Sequence, residues 1–342
     1  MSRGWVASRF RRLGAENVVP VVSFGLVLAY YLLTPALNGH EPTDFDVYNT
    51  LQGFSSLGLV ALAVGLTIIA GEFDLSVLGM QALGGVLAVK AGGTHGLLGV
   101  LAAVAACAFL GAIQGTLIAR LRLQSMAVTL GGYIALLGLT NVIAGNETLT
   151  YTNTDASIWI NRTVLTFFSP RSLVALAIFP LAAILFTRTR LGPELKALGG
   201  DRRSSRVVGI PVDRRLAALF AVSAGLSACA GAMLAYSNAS AQLNPGVQPL
   251  VLAVSGVVLG GVSMLGGRGR IWGLFLGALA VALLEQVFAV SKLPGSTTQI
   301  VFGVLLLTVV VIDAPDLRWM LVRMRARRLS PPQSPPLAKS KR

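Results

Sequence analysis

Four polar side chains stand where their surroundings make them costly: Asp74, Asn141, Glu285 and Gln286. Glu285 and Gln286 lie deep in the apolar run from Ile271 to Val290. A carboxylate at such a place costs about 3 kcal/mol on an insertion scale unless it is paired or wet. It either lines a path for a solute or ion, or reaches water at the outer end of its helix. Asp74 follows Gly71-Glu72-Phe73 and opens the run DLSVLGMQALGGVLA. It either caps the free N–H groups of a helix start, at the positive end of the dipole, or lines a path at a break in the helix. Asn141, Gln114 and Gln81 interrupt other apolar runs, where hydrogen bonds between helices are the plain explanation. The chemistry these residues offer is recognition of a polar solute or transfer of an ion. No Ser/His/Asp or His/Glu grouping stands out, so a membrane-embedded enzyme is disfavoured. His40 and His95 lie in separate short loops, and Cys107 and Cys229 fall in apolar runs, so neither a metal site nor a disulfide is expected. The phosphate-binding pattern G-x-x-x-x-G-K-[ST] does not occur. The chain therefore cannot make a phosphate-binding loop of that kind, and it is expected to hold no cofactor of its own.

A second group of residues is basic. Arg188 to Arg215 carries eight Lys or Arg against Glu194, Asp201 and Asp213, between stretches of apolar sequence. Topology-setting charge accounts for the arginines. It does not account for the helix expected over Glu194–Val208, bracketed by Gly192-Pro193 and Gly209-Ile210-Pro211. That pattern reads as a docking loop for a soluble motor subunit. Gly199, Gly200, Asp201, Arg202, Arg203, Arg206 and Gly209 are the candidate contacts, with Arg268 and Arg270 as a second group on the same side.

These groups must be positioned by membrane helices. Of the 342 residues, 54% are hydrophobic and 12% charged, with mean hydropathy +0.73. Soluble domains carry about a quarter charged residues. The 38 glycines suit close helix packing in lipid. The net charge of +14 would suggest nucleic acid in a soluble protein, but here the charges gather at helix ends. A signal peptide has an apolar core of about 7–15 residues and a cleavage site. Val18 to Leu37 is longer and lacks one, so it is expected to be an uncleaved first span. Further spans are expected at 51–70, 74–92, 96–119, 123–145, 171–187, 216–237, 250–265, 271–290 and 296–312, each near the ~20 residues that cross a bilayer. The turns after Ala70 and Gly92 are tight enough that a broken or re-entrant helix would look the same.

Charge tests the count. With the N-terminus inside and ten alternating spans, only Lys90, Arg162, Arg171 and Lys292 of the 28 Lys and Arg fall off the cytoplasmic side. One span more or fewer would spoil that asymmetry. The expectation is an all-α polytopic membrane protein of about ten transmembrane helices with both termini cytoplasmic. It comprises a cytoplasmic segment 1–17, a transmembrane domain 18–312 with its loop 188–215, and a basic tail 313–342, Pro- and Lys-rich from Leu329, expected to be disordered. The opposite loops differ. Asn38 to Thr50 carries Glu41, Asp44 and Asp46, and Asn238 to Pro249 carries no charge. VLGMQALGGVLAV with GLLGVLAAVAACAFLGAIQG echoes VLAVSGVVLGGVSML with IWGLFLGALAVALLEQ. The first pair would join outside and the second inside. This is either an inverted repeat of the transporter kind or the chance likeness of Gly/Ala/Leu/Val runs.

Three stretches, in order and spacing, resemble the bacterial ABC sugar-importer permeases of the ribose-permease type. TIIAGEFDLSVLGMQALGGVLA resembles their G-x-x-D-L-S-V-G segment. RTRLGPELKALGGDRRSSRVVGIPVDR followed by AVSAGLSACAGAMLA resembles their coupling loop and next helix. LGGVSMLGGRGRIWGLFLGALAVALLEQ resembles their G-G-x-G-x-x-x-G-x-x-x-G-A segment. The likeness runs from about residue 50 to 312. Two departures stand out: Leu78 where the family usually has Gly, and LLEQVF where ribose-type members commonly carry paired asparagines. The resemblance implies an importer for a sugar or sugar-like solute, with a pentose, deoxy sugar or polyol as readily expected as ribose. It also implies a second permease subunit, ATPase subunits that carry ATP and Mg and dock on the coupling loop, an extracytoplasmic sugar-binding protein, and residence in a bacterial inner membrane. An ABC permease for nucleosides or branched-chain amino acids is the nearest rival. An ion-coupled secondary transporter, with Asp74 and Glu285 as its ion site, is the rival from another class.

Overall fold

The computed structural model describes residues 3–292 and 294–313. The basic tail from Arg318 onward, including Lys339, Lys341 and Arg342, lies outside the described residues. Helix α1 (Arg3–Leu32) runs from the basic start into the apolar stretch without a break, Pro20 included. Helix α2 (Thr34–Asn38) is a single short piece. Helix α3 (Asp44–Ile69) begins well before the expected Leu51. A capping box explains this: the Thr43 hydroxyl accepts from the Asp46 N–H at 3.3 Å, and the Asp46 carboxylate accepts from the Thr43 N–H at 2.9 Å.

The chain continues through α4 (Val77–Ala91), α5 (Gly96–Arg120), α6 (Ser125–Ala144), β1 (Leu149–Thr150), α7 (Thr154–Asn161) and α8 (Pro170–Arg188). It then forms α9 (Leu191–Gly200), α10 (Arg202–Val207), α11 (Val212–Ser237), β2 (Ser240–Ala241), α12 (Gln248–Leu259), α13 (Ile271–Val290) and α14 (Gly295–Asp313). Among the described residues the regular structure is helical apart from the β1–β2 antiparallel pair and an isolated Val164–Phe168 bridge, which corrects the purely α expectation by a few residues. Six helices, α3, α5, α6, α8, α11 and α13, are long and apolar enough to cross a membrane. In its most apolar window α3 is 89% buried and α6 only 17%. So α3 is a hub and α6 a rim. On that rim Leu130, Ile134 and Val142 point outward, as lipid-facing residues would. Helix α11 packs along α5, α4 and α3, while α12 and α13 close the other side of α3 and α1 lies on α13.

The break between α3 and α4 is real and has a clear cause. Gly71 adopts φ +77°. Its N–H reaches the Ile68 carbonyl at 2.9 Å and the Glu72 N–H reaches Thr67 at 2.9 Å. This is the double hydrogen bond of a Schellman stop. Helix α12 ends the same way: Gly261 has φ +74°, with Gly261 N–H to Val258 at 2.9 Å and Val262 N–H to Val257 at 3.2 Å.

The loops after these two stops meet the end of α9. The Gly267 N–H donates to the Ile69 carbonyl at 2.8 Å. Gly199 fits between them so closely that a Cβ there would overlap both the Ile69 carbonyl oxygen and the Gly267 amide. Its neighbour Gly200 has open space where its Cβ would be. We expect Gly199→Ala to lower stability by about 1–3 kcal/mol through overpacking, while Gly200→Ala leaves it nearly unchanged. Thermal unfolding of the two variants in one detergent checks this, and equal midpoints would refute the junction.

Candidate functional site

The segment from Arg188 to Arg215 forms two helices where the sequence suggested one over Glu194–Val208. Gly192 and Pro193 fall in the first turn of α9 rather than before it, as Pro tolerates well. The break falls at Asp201, whose extended backbone (φ −163°, ψ 116°) separates α9 from α10. Its carboxylate caps α10, accepting the N–H of Arg203 at 2.9 Å, the N–H of Ser204 at 3.2 Å and the Ser204 hydroxyl at 2.5 Å. Gly209, at φ +88°, ends α10 with a third Schellman pair, Gly209 N–H to Arg206 and Ile210 N–H to Ser205, each at 3.0 Å.

The arginines of this segment divide. Arg202 forms an ion pair with the buried Glu72, just past the α3 stop. Burial is the main influence lowering the Arg202 pKa, and the nearby Arg206 charge adds to it. Arg206 pairs with Asp213 at 3.0 Å, and Arg215 pairs with Glu194. Arg203 is exposed and has no ion pair among the described residues. Beyond it Val207 and Val208 are 84% and 80% exposed, an apolar tip on a polar segment. On the second loop the Arg268 guanidinium reaches the Ser263 hydroxyl at 3.4 Å, and Arg270 stands at the start of α13.

Asp74 lies inside the break between α3 and α4, 2% exposed. Its carboxylate accepts from the Ser76 N–H at 2.9 Å, the Ser76 hydroxyl at 2.6 Å and the Ser223 hydroxyl of α11 at 2.8 Å. Two further backbone groups of the break are met by α6: the Phe73 N–H by Ser125 Oγ at 3.2 Å and the Leu75 N–H by Thr129 Oγ1 at 3.1 Å. Irregular backbone among membrane helices persists only when it is satisfied in this way.

At the other end of the bundle lies a cavity of about 420 Å³, walled by α3, α4, α8, α11, α12, α13 and the loop between β2 and α12. Its polar lining includes Gln52, Ser56, Gln81, Arg171, Gln242 and Glu285. Of the four path residues expected from the sequence, Glu285 lines this space, while Asp74, Asn141 and Gln286 are not in its wall. Asn141 donates to the Leu137 carbonyl of its own helix at 2.8 Å. Gln286 donates to Asp46 at 2.9 Å, tying α13 to the start of α3. The sequence reading missed Gln52, Ser56, Arg171 and Gln242. The signal available was Gln52 and Ser56 at i and i+4, on one face of an apolar helix. Gln52 Oε1 accepts from Ser169 Oγ at 3.0 Å and from the Arg171 guanidinium.

The chain matches the model of the branched-chain amino acid transport system / permease component family over residues 47–310. It is 30% identical over 298 residues to a ribose import permease protein of Escherichia coli, covering 84% of this chain and 92% of that one. Similarity to a fructose import permease protein of Rhizobium meliloti is 27% over 310 residues, covering 86% and 82%. Similarity to an L-arabinose transport system permease protein of Escherichia coli is 28% over 309 residues, covering 85% and 90%. No solved structure matches. With its apolar helices, the match makes the chain a multi-pass membrane protein.

Two expectations test the docking segment. Arg202→Ala should destabilise the protein clearly more than Arg203→Ala, because it leaves Glu72 buried without its counter-charge. Glu72→Gln combined with Arg202→Ala should recover part of the loss in a double-variant thermal unfolding cycle. The second concerns Asp201, whose pKa is lowered, first by the Ser204 hydroxyl and then by the Arg203 and Ser204 amides. A lowered folded-state pKa means the cap contributes fully above the ordinary carboxylate range and is lost as pH falls through the lowered value. Amide protection in α10, taken relative to the intrinsic exchange rate at each pH, should therefore fall below about pH 4, and Asp201→Asn should flatten that dependence.

Proposed function

We propose, since this chain belongs to the branched-chain amino acid transport system / permease component family, that it is the transmembrane permease subunit of an ATP-driven ABC importer for a sugar or sugar-like solute. The observation that carries the sugar reading is full-length similarity to relatives named as ribose, fructose and L-arabinose permeases. A branched-chain amino acid or nucleoside substrate has no such support. The ion-coupled alternative is weakened by Asp74, whose carboxylate is committed to serine hydroxyls and an amide.

The proposed topology has ten passes with both termini cytoplasmic in a bacterial inner membrane. Support comes from the six long apolar helices, the shorter apolar stretches Val18–Leu32, Val77–Ala91 and Gln248–Leu259, and α14, together with the charge asymmetry of the loops. In this topology α9 and α10 face the cytoplasm, where an ATPase carrying ATP and Mg docks. The polar cavity lies toward the face where a binding protein delivers solute. A second permease subunit completes the transporter.

Motion transmitted from an ATPase needs a stiff connection. The Gly199 junction and the Glu72–Arg202 pair supply it, tying α9 and α10 to the ends of α3 and α12. The exposed Val207–Val208 tip with Arg203 is one surface offered to the ATPase, beside the exposed Gly200, Asp201, Arg206 and Gly209. Val207→Asp with Val208→Asp is expected to abolish ATP-dependent uptake and ATPase co-purification while membrane insertion is kept. Normal uptake would refute the docking role. Purification from native membranes without any ATPase would refute the importer reading itself.

A further inference from the structure

An apolar groove opens on the outside of the bundle, near the end where α9 and α10 lie. Helices α8 and α11 both pack on α3 and leave a hollow of about 150 Å³ between them. Leu66 of α3, Phe186 of α8, Leu195 of α9 and Leu219 of α11 line its inner part, and each is buried. Leu185, Ala218 and Val222 line it too and are exposed, so the hollow opens sideways, as a lipid-facing groove would. Among the described residues Arg215 is the one charged member of the wall, and its guanidinium is held by Glu194. An apolar hollow of this size offers water no partners, so it stays dry and accepts hydrocarbon.

The rim has the opposite chemistry. On α8, Arg188 follows Leu185 by three residues, and on α11, Arg214 precedes Ala218 by four. Helical residues at these spacings are neighbours on one face. Arg190 lies in the connection between Phe186 and Leu191, both of which line the hollow. Arg188, Arg190 and Arg214 are exposed and have no ion pair among the described residues. Lys196 adds a further positive charge, its Nζ 5.6 Å from the centre of the Phe186 ring. Topology-setting charge explains arginines at helix ends. It does not require a dry hollow beneath them. Hydrocarbon below and unpaired guanidinium groups above suit an amphiphile with an acyl chain and an anionic head. Guanidinium pairs strongly with phosphate oxygens, and basic pockets between membrane helices hold anionic lipid headgroups. A zwitterionic headgroup would bring its own cation into the same cluster, so an anionic one fits better.

We propose that the groove between α8 and α11 binds one anionic phospholipid of the inner leaflet, with an acyl chain in the hollow and the phosphate on Arg188, Arg190 and Arg214. The lipid bridges the two helices that lead into and out of the docking segment. The site goes beyond the importer reading and takes only its orientation from it, which puts this end of the bundle at the inner leaflet.

The purified chain in phosphatidylcholine nanodiscs is photolabelled with phosphatidylglycerol carrying a diazirine in one acyl chain, and labelled peptides are mapped by mass spectrometry. Label is expected on α8 and α11 at the groove, and far less with a phosphatidylcholine probe carrying the same chain. Arg188→Gln, Arg190→Gln and Arg214→Gln together should raise the probe fraction needed for half-maximal labelling by about fivefold per arginine. Ala218→Phe, which narrows the groove, should reduce the label there. Arg120→Gln with Arg122→Gln removes an exposed basic pair at the end of α5 and should leave the labelling unchanged. Equal labelling by both probes would overturn the site in favour of general lipid contact. An equal loss in the Arg120 and Arg122 variant would overturn it in favour of diffuse charge attraction. Absence of label at the groove also overturns it, and cross-linking of two chains through Leu185→Cys would then put a second copy there. Both leaflets of a nanodisc carry the probe and no ATPase is needed, so this result does not depend on the importer reading. Orientation is read separately, from labelling of Val208→Cys by an impermeant thiol reagent in intact cells. Labelling from outside would refute the inner leaflet as the source of the lipid.

Discussion

A contact between main chains organises this molecule. At one end of the bundle the carbonyl of Ile69, the amide of Gly267 and the α-carbon of Gly199 come together with no side chain between them. Three segments far apart in sequence meet there: the stop of α3, the loop after α12 and the end of α9. Each arrives because a glycine allows it, through a left-handed turn at Gly71 and Gly267 and through close approach at Gly199. The Glu72–Arg202 ion pair sits beside this junction. Displacing α9 would therefore strain the ends of two buried helices at once, since close-packed backbone has little room to deform.

The break between α3 and α4 depends on the same junction and has a second support. Helix α4 can be short because the chain before it is neither helical nor wet. Its amides are met by Ser125 and Thr129, and Asp74 bridges it to Ser223. The small residues of α11 let it lie against α4 at backbone distance. At Gly231 a Cβ would overlap the Gln81 carbonyl. Gln81 thereby has its main chain fixed against α11 while the residue forms part of the cavity wall.

The two ends of the bundle differ in chemistry. One is closed, with Arg202, Arg206 and Arg215 paired within the chain and a small apolar tip left outward beside Arg203. The other holds a cavity walled by Gln52, Ser56, Gln81, Arg171 and Glu285. At this end the aromatic pair Tyr151 and Tyr236 stacks at 4.1 Å; the Tyr151 hydroxyl donates to the Gly92 carbonyl, and the single Tyr236 hydroxyl proton is shared between the Ala88 and Gly96 carbonyls, each at 2.9 Å. The α4–α5 turn is thus fixed without a charged residue.

Much of the architecture was legible in the chain, because membrane helices announce themselves by length and apolarity. Span 271–290 agrees with α13 residue for residue, and most others agree within a few residues. Local chemistry marked the stops as well: Gly71 and Gly209 carry out the turns that glycine suggests. The start of α3 at Asp44 was missed because a capping box extends the helix into polar sequence. The kink at Asp201 was missed because a cap residue inside a helical stretch looks like any other surface acid. The purpose of each polar residue could not be read from the chain. Arg202 and Arg203 are adjacent and identical in type, yet one is paired with Glu72 and the other is exposed. Asp74 and Glu285 both read as intramembrane acids, yet one meets serines and the other a cavity. Composition and periodicity determine which segments enter the bilayer, since that is a one-dimensional transfer free energy. Which polar atoms find partners and which remain free depends on residues more than a hundred positions away, and only tertiary packing decides that.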